Sequence, residues 1–430
     1  MNDVALLFDF IRRSPSPWHA VRAAAEALEE AGFARLEERE SWALAPGGKY
    51  YTVREGSSLI AWRQPAAPAA GWRIAAAHSD SPAFKVKGAA AKNGCTLLLT
   101  EGYGGMIRAS WLDRPLGLAG RVLVRTDTGV ESRLVAPDRD LAVMPHPAIH
   151  LDRAINDGHK YDPKADMQAL FAPGEAAGGY EELLAAEAGC TAGDILGADM
   201  LLYCRQPGVT AGPAGELILC PRLDDLACAW ATLRGFLEAP AADEGAVWCL
   251  FDSEEVGSGT RQGALGTFLP DVLAAAGEAL GETEDQRRQA IAKSLALSAD
   301  NGHAIHPNFA SYADGDFPVR LGGGVVLKFN ANQKYTTTGL TAALFRAVCE
   351  DAGVPVQTYY NRPDMPGGST LGNLLGTRVP LPMADIGLPQ LAMHSCVETA
   401  AASDVAALHK ACAAWYAAKL TPAENGWAIG

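Results

Sequence analysis

The sequence predicts an α/β fold: a mixed sheet with helices on both faces, interrupted by a β-rich insertion. Three observations predict it. Apolar, β-prone runs recur along the chain and stop at an acid or a histidine, as buried strands of an open α/β sheet do at a ligand site. Helix-period segments alternate with those runs toward both ends of the chain. Between about Gly88 and Gly215 this rhythm is lost, strand-like pieces dominate and glycine is frequent. The expected division is residues 1–87 with 220–430 as one discontinuous domain, and 88–219 as an inserted β-rich domain.

The elements follow in order. Val4, Leu7 and Ile11, then Val21, Ala24 and Leu28, keep a helical spacing over 3–34; Ser14-Pro15-Ser16-Pro17 interrupts it and Gly32 closes it. A hairpin is expected over 48–63, and a strand over 72–77. In the insertion, Thr96–Thr100, Arg121–Arg125 and Arg133–Val135 read as strands, and 173–190 as a surface loop running into a helix. From 221 the alternation returns, with a helix after Asp225, further helices over 262–279, 284–293, 338–352 and 403–418, and a strand at Val325–Phe329.

Chemistry sits at the strand ends. Ala246-Val247-Trp248-Cys249-Leu250-Phe251 stops at Asp252-Ser253-Glu254-Glu255 and then enters a Gly/Ser turn. Neighbouring side chains of an extended segment point to opposite sides, so one glutamate can hold a metal while the other faces the attacking water. Four other runs deliver His78 with Asp80, Asp224 with Asp225, Asp300, and His394. Imidazole and carboxylate together suit zinc, manganese or cobalt. Two histidines and three carboxylates exceed the needs of one tetrahedral ion and suit two ions about 3.5–4 Å apart sharing a bridging carboxylate. Simpler readings exist for each piece: an acidic turn for Glu254-Glu255, a favourable charge in the first helical turn for Asp224-Asp225. Recurrence at five strand ends favours a site.

Composition narrows the class. A net charge of −14 argues against nucleic acid or an anionic membrane as main partner. No apolar run has the length of a membrane span, and the start lacks the pattern of a signal peptide. Nine scattered cysteines with no C-x-x-C pair read as reduced thiols and a cytoplasmic protein. His19, in a first helical turn, reads as a packing or capping residue. The segment Met144-Pro145-His146-Pro147-Ala148-Ile149-His150-Leu151 is either a structural proline-rich turn or a loop lending a histidine to an active site.

Together, His78-Ser79-Asp80-Ser81-Pro82, Pro221-Arg222-Leu223-Asp224-Asp225-Leu226, Asp252-Ser253-Glu254-Glu255-Val256-Gly257-Ser258, Ser298-Ala299-Asp300 with His303 and His306-Pro307-Asn308, and Met393-His394-Ser395 resemble the aspartyl aminopeptidase family. The resemblance extends to Arg13-Ser14-Pro15-Ser16-Pro17 and covers nearly the whole chain. It implies a zinc-peptidase catalytic domain with two divalent ions per subunit, zinc first and manganese or cobalt as alternatives. It also implies an inserted domain that serves oligomerisation, a dodecamer built from dimers, and removal of N-terminal Asp, less well Glu, from peptides. Carried over residue by residue, the resemblance makes Asp224 the bridge, places His78 and Asp300 at one ion, and Glu255 and His394 at the other. Glu254 becomes the general base and Asp80 the residue that orients His78. His150 would reach a neighbouring subunit's site, Lys328 would meet the substrate's acidic side chain, and Tyr335 would steady the reacting carbonyl. Asp225 departs from the pattern, since many relatives have Asn there, and the insertion is shorter than in longer relatives. For Lys328 the alternative is a strand lysine extending its amine to solvent.

Other functions to be weighed are a dinuclear aminopeptidase or deacylase of neutral substrates, and a non-catalytic assembly or cargo protein keeping the fold. The complete acid-and-histidine set argues against the latter.

Overall fold

In the computed structural model, which describes residues 2–174, 179–240 and 244–429, four parallel strands form the centre of a nine-stranded mixed sheet. In spatial order they are Gly245–Phe251, Trp72–His78, Leu295–Ala299 and Met383–Gly387. Lys49–Arg54 and Ser58–Arg63 form the expected hairpin on one side, and Val325–Phe329 with Val356–Tyr360 continues the other.

The strands are buried on both faces, and their alternation assigns each side chain to a face. Ala75, Ala77, Trp248, Leu250, Leu295 and Leu297 join one core with helices Asp3–Arg13, Pro17–Glu30, Leu223–Glu238, Gly339–Asp351 and Ala402–Ala417. Ile74, Ala76, Val247, Cys249 and Ala296 join a second core with helices Phe268–Ala279 and Leu371–Leu375. Each fully buried Val, Leu or Ile side chain among these contributes roughly 1.5–3 kcal/mol. Two indoles buried against this sheet have their N–H groups satisfied: Trp248 donates to Thr232 Oγ1 at 2.9 Å and Trp415 to the Ile74 carbonyl at 3.2 Å.

A six-stranded antiparallel sheet stands apart from the first, in the order Gly129–Val135, Leu116–Thr126, Ile195–Cys204, Ala83–Lys92, Cys95–Tyr103 and Ala169–Pro173. It has its own core, including Phe84, Leu98, Trp111, Leu118, Met144 and Met200. Asn93-Gly94, at φ 52° and 73°, makes the tight hairpin turn within it. At Gly120 a Cβ would fall 1.9 Å from the Asp199 carbonyl oxygen, so only glycine lets these strands meet.

The structure corrects several sequence expectations. The second sheet takes strands from 83 to 204, not from 88 to 219. Gly88 is a bulge inside a strand, marked by a register shift between Val86 and Gly88, and not a boundary. Val209–Ala211 and Leu217–Cys220 pair instead in a small five-stranded sheet with Glu398–Ala401, Pro389–Leu391 and Gly302–His303. Two of the five ligand-bearing runs therefore belong to this small sheet and not to the central one. The helix expected over 262–279 begins at Phe268, because Gly263 and Gly266 hold the preceding residues in turns. The loop reading at 173–190 lies partly outside the described residues, and a helix runs from Gly179 to Ala188.

Candidate metal centre

The carboxyl ends of the parallel strands open toward one place, where an α/β sheet presents its ligands. His78 ends its strand and is 1% exposed. Its Nδ1 lies 3.0 Å from the Asp80 backbone carbonyl and 3.3 Å from Asp80 Oδ1, and its own N–H donates to Asp225 Oδ2 at 3.2 Å. Nε2 is thereby aimed at Asp224 Oδ1, 3.6 Å away. His394 arrives from the other side, on a loop that leaves the strand Pro389–Leu391 through Ala392 and His394 itself in left-handed conformations, at φ 56° and 66°. Its Nδ1 is held at 2.6 Å by the Gly105 carbonyl, which leaves Nε2 3.5 Å from Asp224 Oδ2 and 3.4 Å from Glu255 Oε1.

Asp224 thus stands between the imidazoles, one oxygen toward each. Its helix starts irregularly: Arg222 is left-handed, at φ 57°, and Asp224 and Asp225 have non-helical dihedrals. The Asp224 N–H donates to Glu398 Oε2 at 2.9 Å, and Glu398 Oε1 accepts the His394 N–H at 2.8 Å. Two groups of side chains each bring their polar atoms within 4.8 Å of one another: His78, Glu254 and Asp300, and Asp224, Glu255 and His394. Asp225 falls in the same range of His78 and Asp224.

The cluster gathers more carboxylates than imidazoles. Burial pushes Glu255 and Asp225 up from the carboxylate range, Glu254 up to about 8 and Glu398 up to about 8. Burial opposes a charge on His394, yet Asp224 and Glu255 outweigh it and raise the imidazole to about 10. His78 is raised as well, burial being overcome by Asp225, Asp224 and Asp80. Asp224 itself is held below the usual range, since the two histidines outweigh its burial. Asp224 Oδ1, Asp225 Oδ1 and Glu255 Oε1 are buried without a hydrogen-bond partner among the described residues. Buried carboxylate oxygens are not left bare without cost. Imidazoles fixed at Nδ1 by carbonyls, with Nε2 facing the bare oxygens of Asp224 and Glu255, are an arrangement that suits a divalent metal ion.

The structure therefore brings together His78, Asp80, Asp224, Glu254, Glu255, Asp300 and His394. Asp80 is fully buried and does more than orient His78: Oδ1 also accepts the Glu254 N–H at 3.2 Å, and Oδ2 the Glu255 N–H at 3.1 Å. Lys328 and Tyr335 adjoin the cluster. The Lys328 amine donates to the Asp300 and Asn301 carbonyls at 2.7 and 3.2 Å, lies 3.4 Å from Asp300 Oδ1, and sits over the Tyr335 ring at 5.2 Å. This lysine is 2% exposed, so the solvent-seeking alternative fails. His150 is not brought to the cluster and is exposed on its loop. His146, four residues earlier, is the structural member of that segment, with Nδ1 2.7 Å from Asp113 Oδ2. His19 is a packing residue, 2% exposed, with Nδ1 2.7 Å from Ser16 Oγ.

Sequence reasoning missed Glu398, Tyr103 and the Gly105 carbonyl. Glu398 carried one usable signal, an acid entering an apolar strand four residues after His394.

A family model described as aminopeptidase I zinc metalloprotease (M18) matches residues 10–416. The chain belongs to the M18 family. It is 42% identical over 426 residues to a probable M18 family aminopeptidase 2 of Pseudomonas aeruginosa, covering 97% of this chain and 98% of that protein. Among solved structures it is similar to one titled as a cryo-EM structure of an Ape4 and Nbr1 complex, with a TM-score of 0.93 and 32% identity, covering 96% of this chain and 85% of that one. It is also similar to the S. cerevisiae mApe1 dodecamer, with a TM-score of 0.85 and 26% identity, covering 96% of this chain and 97% of that one. Membership of M18 makes the chain a metallo-aminopeptidase of a zinc-dependent family, which includes the aspartyl aminopeptidases. The histidine and carboxylate donors agree with a divalent ion. Among the described residues no helix is long and apolar enough to cross a membrane.

Proposed function

We propose that this M18 aminopeptidase removes N-terminal Asp, and less well Glu, from peptides, using a water activated between two divalent cations. The observation that carries the two-cation reading is Asp224, whose two oxygens face His78 and His394 at 3.6 and 3.5 Å. His78 and Asp300 would hold one ion with Asp224, and Glu255 and His394 the other. Bound there, the ions would acidify a water and polarise the scissile carbonyl. Glu254 takes the water's proton on its carboxylate and delivers it to the leaving amine, a task suited to a half-buried glutamate with a raised affinity for protons. Tyr335 would steady the reacting carbonyl, and Lys328 would supply the positive charge for an acidic side chain.

A second reading, a preference for neutral residues, is favoured by one observation: the Lys328 amine is already engaged by Asp300 and Asn301. Rates on Asp-, Glu- and Leu-peptides with zinc, manganese or cobalt, before and after chelation, separate the two. If Lys328→Ala keeps a preference for Asp over Leu, Lys328 is not the specificity cation.

We also infer self-association, with His150 entering a neighbouring subunit's site. The exposed loop carries Ile149 and Leu151, 47% and 83% exposed, and the similar yeast structure is a dodecamer. Sedimentation of the full chain tests this. A cytoplasmic setting is supported by nine free thiols.

A further inference from the structure

Tyr103 ends a strand of the six-stranded sheet, yet its hydroxyl donates to Asp80 Oδ2 at 2.7 Å, inside the metal centre. Asp80 is fully buried, and its carboxylate accepts three hydrogen bonds, from the Tyr103 hydroxyl and the backbone N–H groups of Glu254 and Glu255; it also lies 3.3 Å from His78 Nδ1, whose hydrogen bond goes to the Asp80 backbone carbonyl at 3.0 Å. Tyr103 is the only one of the three donors that the second sheet supplies. The residues that follow touch the rest of the centre. A Cβ on Gly104 would lie 3.1 Å from Glu255 Cβ, the Gly105 carbonyl holds His394 Nδ1 at 2.6 Å, and the Ile107 N–H donates to the His394 carbonyl at 3.0 Å.

We propose that Tyr103 is a positioning residue for the reaction. By holding the Asp80 carboxylate its phenol fixes the backbone that aims Glu254 and Glu255 and the negative charge beside His78 Nδ1, so the seating of the second sheet sets the geometry of the centre. A carboxylate with a missing donor can rotate; the Glu254–Glu255 turn, whose two N–H groups it accepts, would shift with it, and the charge beside His78 Nδ1 would move. Groups that orient metal-binding histidines affect metal affinity or activity by about 10–100-fold.

The test is Tyr103→Phe, which keeps the ring and removes the oxygen, in the full chain. The expected result is a kcat lowered by roughly tenfold or more, a KM within about twofold, and a changed visible absorption of the cobalt-loaded protein. In an Asp80→Ala background, adding Tyr103→Phe should change kcat by less than about twofold, because the acceptor of the phenol is already lost. A Tyr103→Phe protein with unchanged kcat and unchanged cobalt spectrum overturns the proposal. So does a loss of activity that only tracks the unfolded fraction, and so does full additivity in the double variant. The proposal rests on Glu254 as the base. If Glu254→Gln stays active that reading fails, whereas the cobalt spectrum judges Tyr103 independently.

Discussion

Glu398 accepts the backbone N–H of Asp224 through Oε2 at 2.9 Å, and its other oxygen takes the N–H of His394 at 2.8 Å. One buried glutamate therefore fixes the backbone of two candidate ligands that lie 170 positions apart in the chain (394 − 224). Glu398→Gln keeps the shape but turns an amide donor toward one of those N–H groups. Metal affinity should fall by about 10–100-fold, with the overall fold retained. Competition with a chromogenic chelator measures this; unchanged affinity would show that Glu398 is not needed to hold the centre.

Gly104 combines a left-handed backbone, φ 75°, with a close approach to Glu255. Gly104→Ala should cost about 1–2 kcal/mol of stability from the backbone alone and lower activity much further by displacing Glu255. Gly94 has the similar φ of 73° with nothing within 4 Å, so Gly94→Ala carries the backbone cost without the contact. Denaturant unfolding and initial rates on both variants separate strain from steric displacement. Equal activities would contradict the contact argument.

His19 gives the chain a specific sensitivity to acid. Burial, with Arg22 adding to it, lowers the imidazole from 6.5 to about 3 in the folded state. Below 6.5 the unfolded chain therefore binds a proton that the folded chain refuses. Stability from this group is full above 6.5 and is lost as the pH falls from there toward 3, with a slope of up to about 1.4 kcal/mol per pH unit. His19→Gln should flatten the pH dependence of unfolding by about one proton in that window, measured as the difference from the wild-type profile. Parallel profiles would show that His19 is not a source of acid sensitivity.

Removing the metal should leave like charges facing each other at the strand ends. Chelation should lower the melting temperature, and added zinc should restore it in a concentration-dependent way, as expected for an ion that binds only the folded state. A melting temperature indifferent to chelator and metal would contradict a metal centre in this cluster.

The residues that end apolar runs were legible because a buried strand rarely stops at a charge without a reason. That rule led to His78, Asp224, Glu254, Glu255, Asp300 and His394, which converge. It did not reveal that Asp224 and His394 come from the small five-stranded sheet, because strand pairing over such separations leaves no local pattern. Tyr103 and Glu398 were hidden for a related reason. Tyr103 acts by one hydrogen bond to the distant Asp80, and Glu398 by bonds to the N–H groups of Asp224 and His394; beyond the acid that enters a strand just after His394, no local pattern announces those bonds. Lys328 was legible as a strand lysine, but its burial against Asp300 depends on the pairing of Val325–Phe329 beside Met383–Gly387. The edges of the second sheet were misplaced because Gly88 reads as a break when it is a bulge.

Metal content by elemental analysis, on the wild type and on Asp224→Asn after equilibration with zinc, tests the central claim most directly. If Asp224 links two ions, the wild type should hold close to two zinc ions per chain and the variant should lose affinity at both positions together. A wild type that saturates with one ion, or an Asp224→Asn protein that keeps both with unchanged affinity, would contradict it.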